Sequence, residues 1–246
     1  MQRFYIEKAA IDNNTVSIEG REARHIGKVL RMCEHDSINL FDAEGTVYTG
    51  TIIKRDTKRV LVRIDDRCAA PERDDTIIII GQALPKGMKM DLIVQKGTEL
   101  GVSRIIPFSS MRTVARYDAR REQDKVRHWQ QIAVESVKQS GMRHIPVVEG
   151  VSEFKGLLDR NLDGYLKIIL WEEENAVRLR QVIKAAGSLK KVFILIGPEG
   201  GFDRKEVSSA REHGFTPVSL GEAVLRTETV SLAVTAVIRY EAGAFA

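Results

Sequence analysis

The sequence predicts an α/β protein in which a small β-barrel precedes a larger parallel sheet with helices on both faces. Residues 1–68 contain short β-rich runs at close spacing around one helix, which is typical of small barrels. From Thr76 onward, apolar strands alternate with helices, which is typical of parallel sheets. The length of 246 residues and the 43% hydrophobic share fit one or two globular domains.

The front part is predicted to consist of strands with one interrupting helix. The four predicted strands are Thr15–Glu19, Ser37–Phe41, Thr46–Ile53 and Arg59–Ile64. Between the second and third strands, Ala43-Glu44-Gly45 is typical of a hairpin turn. The helix is predicted over Glu22–Leu30, because its apolar residues share one side and its basic residues the other.

A polar segment without periodicity follows the front part. Residues Ala69–Asp75 (AAPERDD) contain a proline and no regular apolar spacing, so we predict a linker there. The predicted domains are residues 1–70 and residues 75–246.

The second part is predicted to form a parallel sheet covered on both faces. Its predicted strands are Thr76–Ile80, Arg104–Pro107, Ile145–Val148, Lys167–Trp171, Lys191–Ile196 and Thr216–Ser219. Its predicted helices include Met88–Leu100, Asp118–Ser140 and Ala176–Ala186, each followed by a glycine suited to end a helix. The last helix carries no charge from Thr229 to Ile238, so we expect it to be buried on all sides, by core packing plus a subunit interface or wholly inside the fold.

Several function classes are disfavoured by composition. No apolar run approaches the roughly 20 residues of a membrane-spanning helix, and the first residues resemble neither a signal nor a transit peptide. Cys33 and Cys68 are the only cysteines, with no CxxC and no Cys/His cluster. We therefore expect a cytoplasmic protein without a disulfide framework or a metal site.

The positive charge is concentrated in two segments. Residues 112–143 contain eight basic and four acidic residues, and residues 21–31 contain four basic and one acidic residue, although the whole chain has a net charge of only +4. Such a distribution favours a surface that binds a polyanion. A solvated helix face with scattered charge is the alternative.

The first motif, IGPEGGF at Ile196–Phe202, directly follows the apolar strand KVFILI. Its glycines allow positive φ and close approach of a ligand to the backbone, and Asp203 with Glu206 suits the start of a helix. A glycine loop between a strand and a helix is a ligand-binding position in open α/β sheets. The P-loop and dinucleotide spacings are absent. The alternative is a tight turn that needs glycine.

The second motif, SLGEAVLRTET at Ser219–Thr229, precedes the last helix. Apolar side chains beside a glycine are unusual in a solvent loop and suit a flat heteroaromatic ring such as adenine. Arg226 and Glu228 place charge at the rim of such a pocket. The alternative is a loop buried by neighbouring structure.

Together, IGPEGGF and LGEAVLRTET resemble the paired knot loops of SPOUT methyltransferases. More narrowly, the chain resembles the bacterial 16S rRNA uracil-N3 methyltransferases. Supporting segments are Arg3-Phe4, HIGKVLR at His25–Arg31, KGMKMDLIVQKGTELGVSRIIP at Lys86–Pro107 and QSGMRHIP at Gln139–Pro146. Val230 departs from the family, where alanine is expected.

This resemblance implies a SPOUT-type parallel sheet with a C-terminal trefoil knot, an exception to the rule against knots, behind a PUA-like RNA-binding barrel. It implies a homodimer that binds S-adenosyl-L-methionine in a cleft of the knot loops and acts on 16S ribosomal RNA or the small ribosomal subunit. The implied cofactor residues are Leu170, Ile196, Gly197, Glu199, Gly200, Gly201, Leu220, Gly221, Val224, Leu225, Arg226 and Thr227. The implied RNA-binding residues are Arg24, Lys28, Arg31, Lys86, Arg112, Arg116, Arg127, Lys138 and Arg143.

For methyl transfer from a sulfonium, the protein must orient the two reactants and need not supply a nucleophile or a metal of its own. The enzyme must remove the uracil N3 proton, and a cation that stabilises the resulting anion assists by about 1.4 kcal/mol for each unit of lowered pKa. Arg226 is the candidate cation, and Glu199 and Glu228 are candidate bases or orienting groups, although each could instead be structural. The alternatives for the whole chain are a non-catalytic RNA-binding or ribosome-assembly protein and a nucleotide-dependent transferase.

Overall fold

A computed structural model describes residues 3–69, 76–115, 117–142 and 144–244. The chain divides into two compact units. The first comprises the described part of residues 1–73 with residues 137–145, and the second comprises the described part of residues 74–136 and 146–246. Most of the expected linker, residues 70–75, lies outside the described residues, so the division at residues 70 and 75 stays a prediction.

The first unit contains one six-stranded sheet with the order β1-β4-β5-β6-β3-β2. Its strands are β1 Arg3–Tyr5, β2 Ile11–Asp12, β3 Thr15–Glu19, β4 Ser37–Phe41, β5 Val47–Arg55 and β6 Arg59–Cys68. The β1–β4 pair is parallel and the other pairs are antiparallel. Alternate residues such as Val16, Leu40 and Val62 are buried in one cluster, so the sheet curls around a single core. The four predicted strands are confirmed, while β1 and β2 were not predicted.

The predicted hairpin turn between β4 and β5 is confirmed. The Asp42 carboxylate accepts hydrogen bonds from the backbone N–H of Glu44 and of Thr46, at 2.9 and 3.0 Å. Gly45 has a φ of 85°, which glycine adopts without strain.

The predicted helix in the first unit exists but is not a regular α-helix. It begins as α1, Gly20–Arg24, and continues as a π-helical turn over His25–Val29. The wide turn is visible in the hydrogen bond from Leu30 N to His25 O, at 3.0 Å. Ile26 is buried on the inner side of this segment.

The second unit contains the predicted parallel sheet, with the order β10-β8-β7-β12-β11-β13 and with β9 also beside β8. Its strands are β7 Ile77–Ala83, β8 Arg104–Ser109, β9 Val147–Val148, β10 Ser152–Glu153, β11 Leu166–Leu170, β12 Lys191–Ile196 and β13 Thr216–Val218. All of these pairs are parallel, so the carboxyl ends of β7, β11, β12 and β13 meet at one edge.

The helices that follow these strands are α2 Lys89–Glu99, α3 Ala119–Ser140, α4 Phe154–Leu158, α5 Leu179–Ala185, α6 Arg204–Glu212 and α7 Thr227–Glu241. Helix α5 begins later than Ala176, where the sequence predicts its start. The Glu174 carboxylate accepts hydrogen bonds from the N–H groups of Ala176 and Val177, which holds these residues in a turn before the helix. None of the described helices combines the length and the apolar composition needed to cross a membrane.

Helix α7 packs against α2 and β12. Its inner face buries Val234 and Ile238, but Val237 and Tyr240 are 42% and 67% exposed. The alternative of a helix wholly inside the fold is therefore wrong, because only one face of the helix meets the core of the single chain. Burial of the other face by a subunit interface stays a prediction.

Candidate active site

A cleft of about 380 Å³ lies at the edge of the sheet where β11, β12 and β13 end. Its walls are the three segments that follow these strands, together with Lys89 and Val230. All of the predicted cofactor residues line the cleft except Gly200. Both sequence motifs therefore meet in one cavity.

The glycine loop after β12 is closely packed at two positions. Gly201 has a φ of 67°, and a Cβ there would lie 1.9 Å from Glu172 Oε1. A Cβ on Gly197 would lie 3.1 Å from the carbonyl carbon of Gly201. A Cβ on Gly200 would make an ordinary 3.5 Å contact with Arg112. Gly197 and Gly201 thus form a tight turn and also leave the cleft wall without side chains.

The start of α6 holds this loop in place. Asp203 Oδ1 accepts a hydrogen bond from Lys205 N, and Glu206 Oε2 accepts one from Asp203 N, each at 3.0 Å. The expected capping pair is therefore confirmed. Arg112 Nη1 donates to Gly200 O at 2.8 Å, so this predicted RNA-binding residue also fixes the loop.

A buried polar network joins the glycine loop to the start of α7. The Thr227 hydroxyl donates to Gly197 O at 2.7 Å and accepts from Gln82 Nε2 at 3.0 Å. Ser231 Oγ donates to Gln82 Oε1 at 2.6 Å. Gln82 was not predicted as a functional residue, although a glutamine in the apolar strand IIIIGQA is a usable signal, since buried amides need partners.

The loop of residues 219–226 presents apolar side chains beside the cleft. Val224 is 81% exposed, and Leu220 and Leu225 are also exposed. The alternative that neighbouring structure in the chain buries this loop is therefore wrong. These side chains give the cleft an apolar wall of the kind that suits a flat ring.

Lys89 lies between two acidic residues at the cleft. Its Nζ is 2.7 Å from Glu199 Oε1 and 3.7 Å from Glu228 Oε2. Glu199 Oε1 also accepts a hydrogen bond from Lys86 N at 3.0 Å. Burial alone would raise the pKa of Glu199, but the hydrogen bonds from Lys89 and from backbone N–H groups hold its pKa below the usual value. The hydrogen bond to Glu199 raises the pKa of Lys89.

The other two candidate catalytic residues differ in exposure. The Glu228 side chain is only 13% exposed, and its Oε2 is buried with no hydrogen-bond partner among the described residues. Glu228 does not itself line the cleft. Arg226 is exposed, lines the cleft and directly precedes α7.

Outside the two motifs, sequence reasoning missed three cleft residues with polar groups, Lys89, Trp171 and Glu172. Trp171 and Glu172 directly follow β11, so the rule that ligands bind at the carboxyl ends of parallel strands is the signal that points to them. No comparable local signal marks Lys89, because it approaches the cleft from a helix far away in sequence.

The predicted RNA-binding residues fall into three groups. Arg24, Lys28, Arg31, Lys86, Arg112 and Arg127 are exposed. The Lys138 side chain is only 13% exposed, with Nζ 2.5 Å from Glu22 Oε1, so the structure does not support it as a phosphate contact. Arg116 and Arg143 lie outside the described residues. In the part of the chain that the structure describes, no group of three or more His, Cys, Asp or Glu side chains could hold a metal ion.

Comparisons with known proteins decide the family. A model described as an RNA methyltransferase domain matches residues 72–239, and one described as an RNA methyltransferase PUA domain matches residues 18–65. Ribosomal RNA small subunit methyltransferase E of Bacillus subtilis is 33% identical, over 98% of this chain and 97% of its own length. The chain belongs to the family of ribosomal RNA small subunit methyltransferase E.

Solved structures of similar chains share the fold. The ribosomal RNA small subunit methyltransferase E of Neisseria gonorrhoeae, crystallised with S-adenosyl methionine, is 29% identical with a TM-score of 0.84, covering 98% of this chain and 97% of that chain. A methyltransferase of Legionella pneumophila, in complex with the same cofactor, is 29% identical with a TM-score of 0.85, covering 97% and 96%.

Proposed function

We propose that the protein transfers a methyl group from S-adenosyl-L-methionine to N3 of a uridine in 16S ribosomal RNA of the small subunit. The observation that carries this proposal is the single cleft into which the loops after β12 and β13 both open, in a chain of this family. Family members solved with this cofactor support the choice of methyl donor.

The residues of the cleft fit S-adenosyl-L-methionine. A volume of about 380 Å³ lies within the range of small-molecule sites. Leu170, Leu220, Val224 and Leu225 supply apolar contacts for the adenine ring, and Gly197 and Gly201 leave the backbone open to the ligand. The acidic side chains of the cleft suit a donor that carries a positively charged sulfonium.

The cofactor supplies a methyl group that is activated by the positive charge on its sulfur, so the chain's own task is to position the uracil and remove its N3 proton. Arg226 lines the cleft, and we assign to it the stabilisation of the uracil anion. Glu199 already accepts two hydrogen bonds, so we assign it to holding the loop. Glu228 does not line the cleft, and its Oε2 lies 3.7 Å from Lys89 Nζ, so we assign it to the electrostatic support of Lys89, and the N3 proton passes to solvent.

Uracil N3 lies on the Watson–Crick edge of the base, so the target must be unpaired or flipped out of its helix. Exposed cations suit the flanking phosphates. In the first unit these are Arg24, Lys28 and Arg31, and in the second unit they are Lys86, Arg112 and Arg127. We assign to the first unit the role of a PUA-like RNA-binding domain, in line with the family model that matches residues 18–65.

Three further features belong to this proposal: a trefoil knot, a homodimer and a cytoplasmic location with the ribosomes. The path of the chain supports the knot. Strand β13 lies at the edge of the sheet, beside β11, whereas Gly197 follows β12 on the other side of β11. After β13 the chain therefore crosses back over β11, where the Thr227 hydroxyl donates a hydrogen bond to Gly197 O. Sheet connections normally avoid such crossings on one edge. The dimer is supported by the exposed Val237 and Tyr240 of α7.

Mass spectrometry of 16S ribosomal RNA digests tests this function. Cells that lack the protein should lose one N3-methyluridine, and purified protein with S-adenosyl-L-methionine should restore it. Offering naked RNA and assembled small subunits separately identifies the substrate form. RNA binding without any methylation would favour the non-catalytic ribosome-assembly role.

A further inference from the structure

The segment after β11 contains three consecutive glutamates, of which one differs from the others. Glu173 pairs with Arg204, with Oε2 and Nη2 2.7 Å apart. Glu174 pairs with Arg211 at 3.1 Å and also accepts hydrogen bonds from backbone N–H groups. Glu172 has no hydrogen-bond or ion-pair partner among the described residues, although it is the member of the run that lines the cleft.

The position of Glu172 is set by its neighbours. Trp171 N donates to Val218 O at 3.0 Å, and Glu174 N donates to Trp171 O at 3.2 Å, so backbone hydrogen bonds hold the chain on both sides of Glu172. Its carboxylate lies over Gly201, in the space that any side chain at that position would occupy. The glycine at position 201 therefore provides room in the cleft wall for this carboxylate.

The charges of the cleft leave Glu172 available for a ligand. Lys89 and Arg226 are the cations that line the cleft. Lys89 is paired with Glu199 at 2.7 Å, and among the described residues no ion pair joins Arg226 to Glu172. S-adenosyl-L-methionine carries two positive charges, on its sulfonium and on its α-ammonium group. A carboxylate held at the wall of its site can form a charge-assisted contact with either of them.

We infer that Glu172 is a specificity residue that binds the methyl donor through a positive charge of its methionine part. This inference rests on the proposed function. It explains why Glu172, unlike Glu173 and Glu174, has no arginine partner in the described chain, because such a partner would compete with the ligand. Glu222 is a second carboxylate at the cleft and, like Glu172, is exposed. Among the described residues, no backbone–backbone hydrogen bond within 220–225 holds its loop as those of Trp171 and Glu174 hold the segment of Glu172.

Isothermal titration calorimetry on the full chain tests the inference with three ligands. S-adenosyl-L-methionine has both charges, S-adenosylhomocysteine keeps only the ammonium, and 5′-methylthioadenosine keeps the adenosine part but has neither. Glu172→Gln should weaken S-adenosyl-L-methionine binding by about 10-fold or more and leave methylthioadenosine binding unchanged. Glu173→Gln is the matched control, since it removes the adjacent charge outside the cleft and should change no ligand affinity.

The pattern across the three ligands identifies the contact. Weaker binding of S-adenosyl-L-methionine alone identifies the sulfonium, and weaker binding of S-adenosylhomocysteine as well identifies the ammonium. Unchanged affinities, an equal loss for all three ligands, or a loss with Glu222→Gln in place of Glu172→Gln would overturn the inference. If the wild-type chain bound no S-adenosyl-L-methionine, the proposed function itself would fail.

A measurement on the wild-type chain covers the case in which Glu172→Gln does not fold. Raising the salt concentration from about 0.05 M to about 0.5 M screens charge pairs. It should weaken binding of S-adenosyl-L-methionine several-fold more than binding of methylthioadenosine. Equal salt dependence of the two ligands would contradict a charge contact.

Discussion

The Thr227 hydroxyl donates a 2.7 Å hydrogen bond to the carbonyl oxygen of Gly197. This contact joins the first residue of α7 to the first glycine of the loop after β12, thirty positions earlier in the chain. Both residues line the cleft, so one buried hydrogen bond fixes the relative position of its two main walls.

Thr227→Val should therefore weaken both the fold and cofactor binding. Valine keeps the shape of threonine but removes the hydroxyl, which leaves Gly197 O without its best donor. We expect a loss of about 1–3 kcal/mol in the free energy of unfolding and weaker binding of S-adenosyl-L-methionine. Urea denaturation and calorimetry measure the two effects. Thr229→Val makes the same change at an exposed position, and an equal loss there would contradict this role.

The close packing of Gly201 against Glu172 predicts a second effect. Gly201→Ala introduces a Cβ where φ is 67° and where Glu172 Oε1 lies 1.9 Å away. Displacing this carboxylate and straining the backbone should cost about 1–2 kcal/mol in stability and reduce cofactor affinity. Gly200→Ala, whose Cβ has room, should change both quantities little. The prediction fails if the two alanine variants have the same unfolding midpoint and affinity.

The Lys89–Glu199 pair predicts a pH-dependent contribution to stability. Because the pKa of Glu199 is lowered and that of Lys89 is raised, the pair stabilises the fold when both groups are charged. Lys89→Met should destabilise by about 1 kcal/mol or less near neutral pH. The difference from wild type should shrink as pH falls below about 4.3 and as it rises above about 10.4.

Denaturation midpoints measured across this pH range check the prediction. The control is Lys96→Met, which removes a lysine that is paired with Glu99 on the same helix. Lys96 is not among the residues that line the cleft, so this change should leave the affinity for S-adenosyl-L-methionine unchanged. A constant difference between Lys89→Met and wild type at all pH values would show that the lysine acts through packing of its stem alone.

Charge reversal on the first unit should separate RNA binding from cofactor binding. The triple variant Arg24→Glu, Lys28→Glu and Arg31→Glu should weaken RNA binding and leave S-adenosyl-L-methionine affinity unchanged. The slope of log K against log salt should fall in magnitude by about 0.7 for each phosphate of single-stranded RNA that the variant no longer neutralises. Filter binding at several salt concentrations measures this slope. Lys58→Glu changes an exposed charge elsewhere in the same unit, and an equal effect there would contradict a specific surface.

The sequence predicted those features that depend on local chemistry. The apolar runs around Ile194 predicted buried parallel strands, and Asp203 followed by Glu206 predicted the start of α6. The glycines at positions 197 and 201 indicated a loop with special backbone geometry, and the structure supplies the reason in the positive φ of Gly201 and in the close contacts that a Cβ would make at both positions.

Features that depend on distant contacts were not predicted from the sequence, because the partners lie far apart along the chain. Gln82 and Lys89 act at the cleft through partners more than one hundred residues away. Lys138 belongs to a basic segment, yet its ammonium contacts Glu22. The uncharged sequence of α7 also gave no sign of which side meets the core, so Val237 and Tyr240 were not singled out as its exposed residues.

Diffraction from a crystal of this protein soaked in S-adenosyl-L-methionine tests the central claim most directly. We predict density for the donor between residues 197–201 and residues 220–227, with a positive group near the Glu172 carboxylate. A cleft that stays empty at saturating donor, or density for the donor at another place on the chain, would contradict this claim.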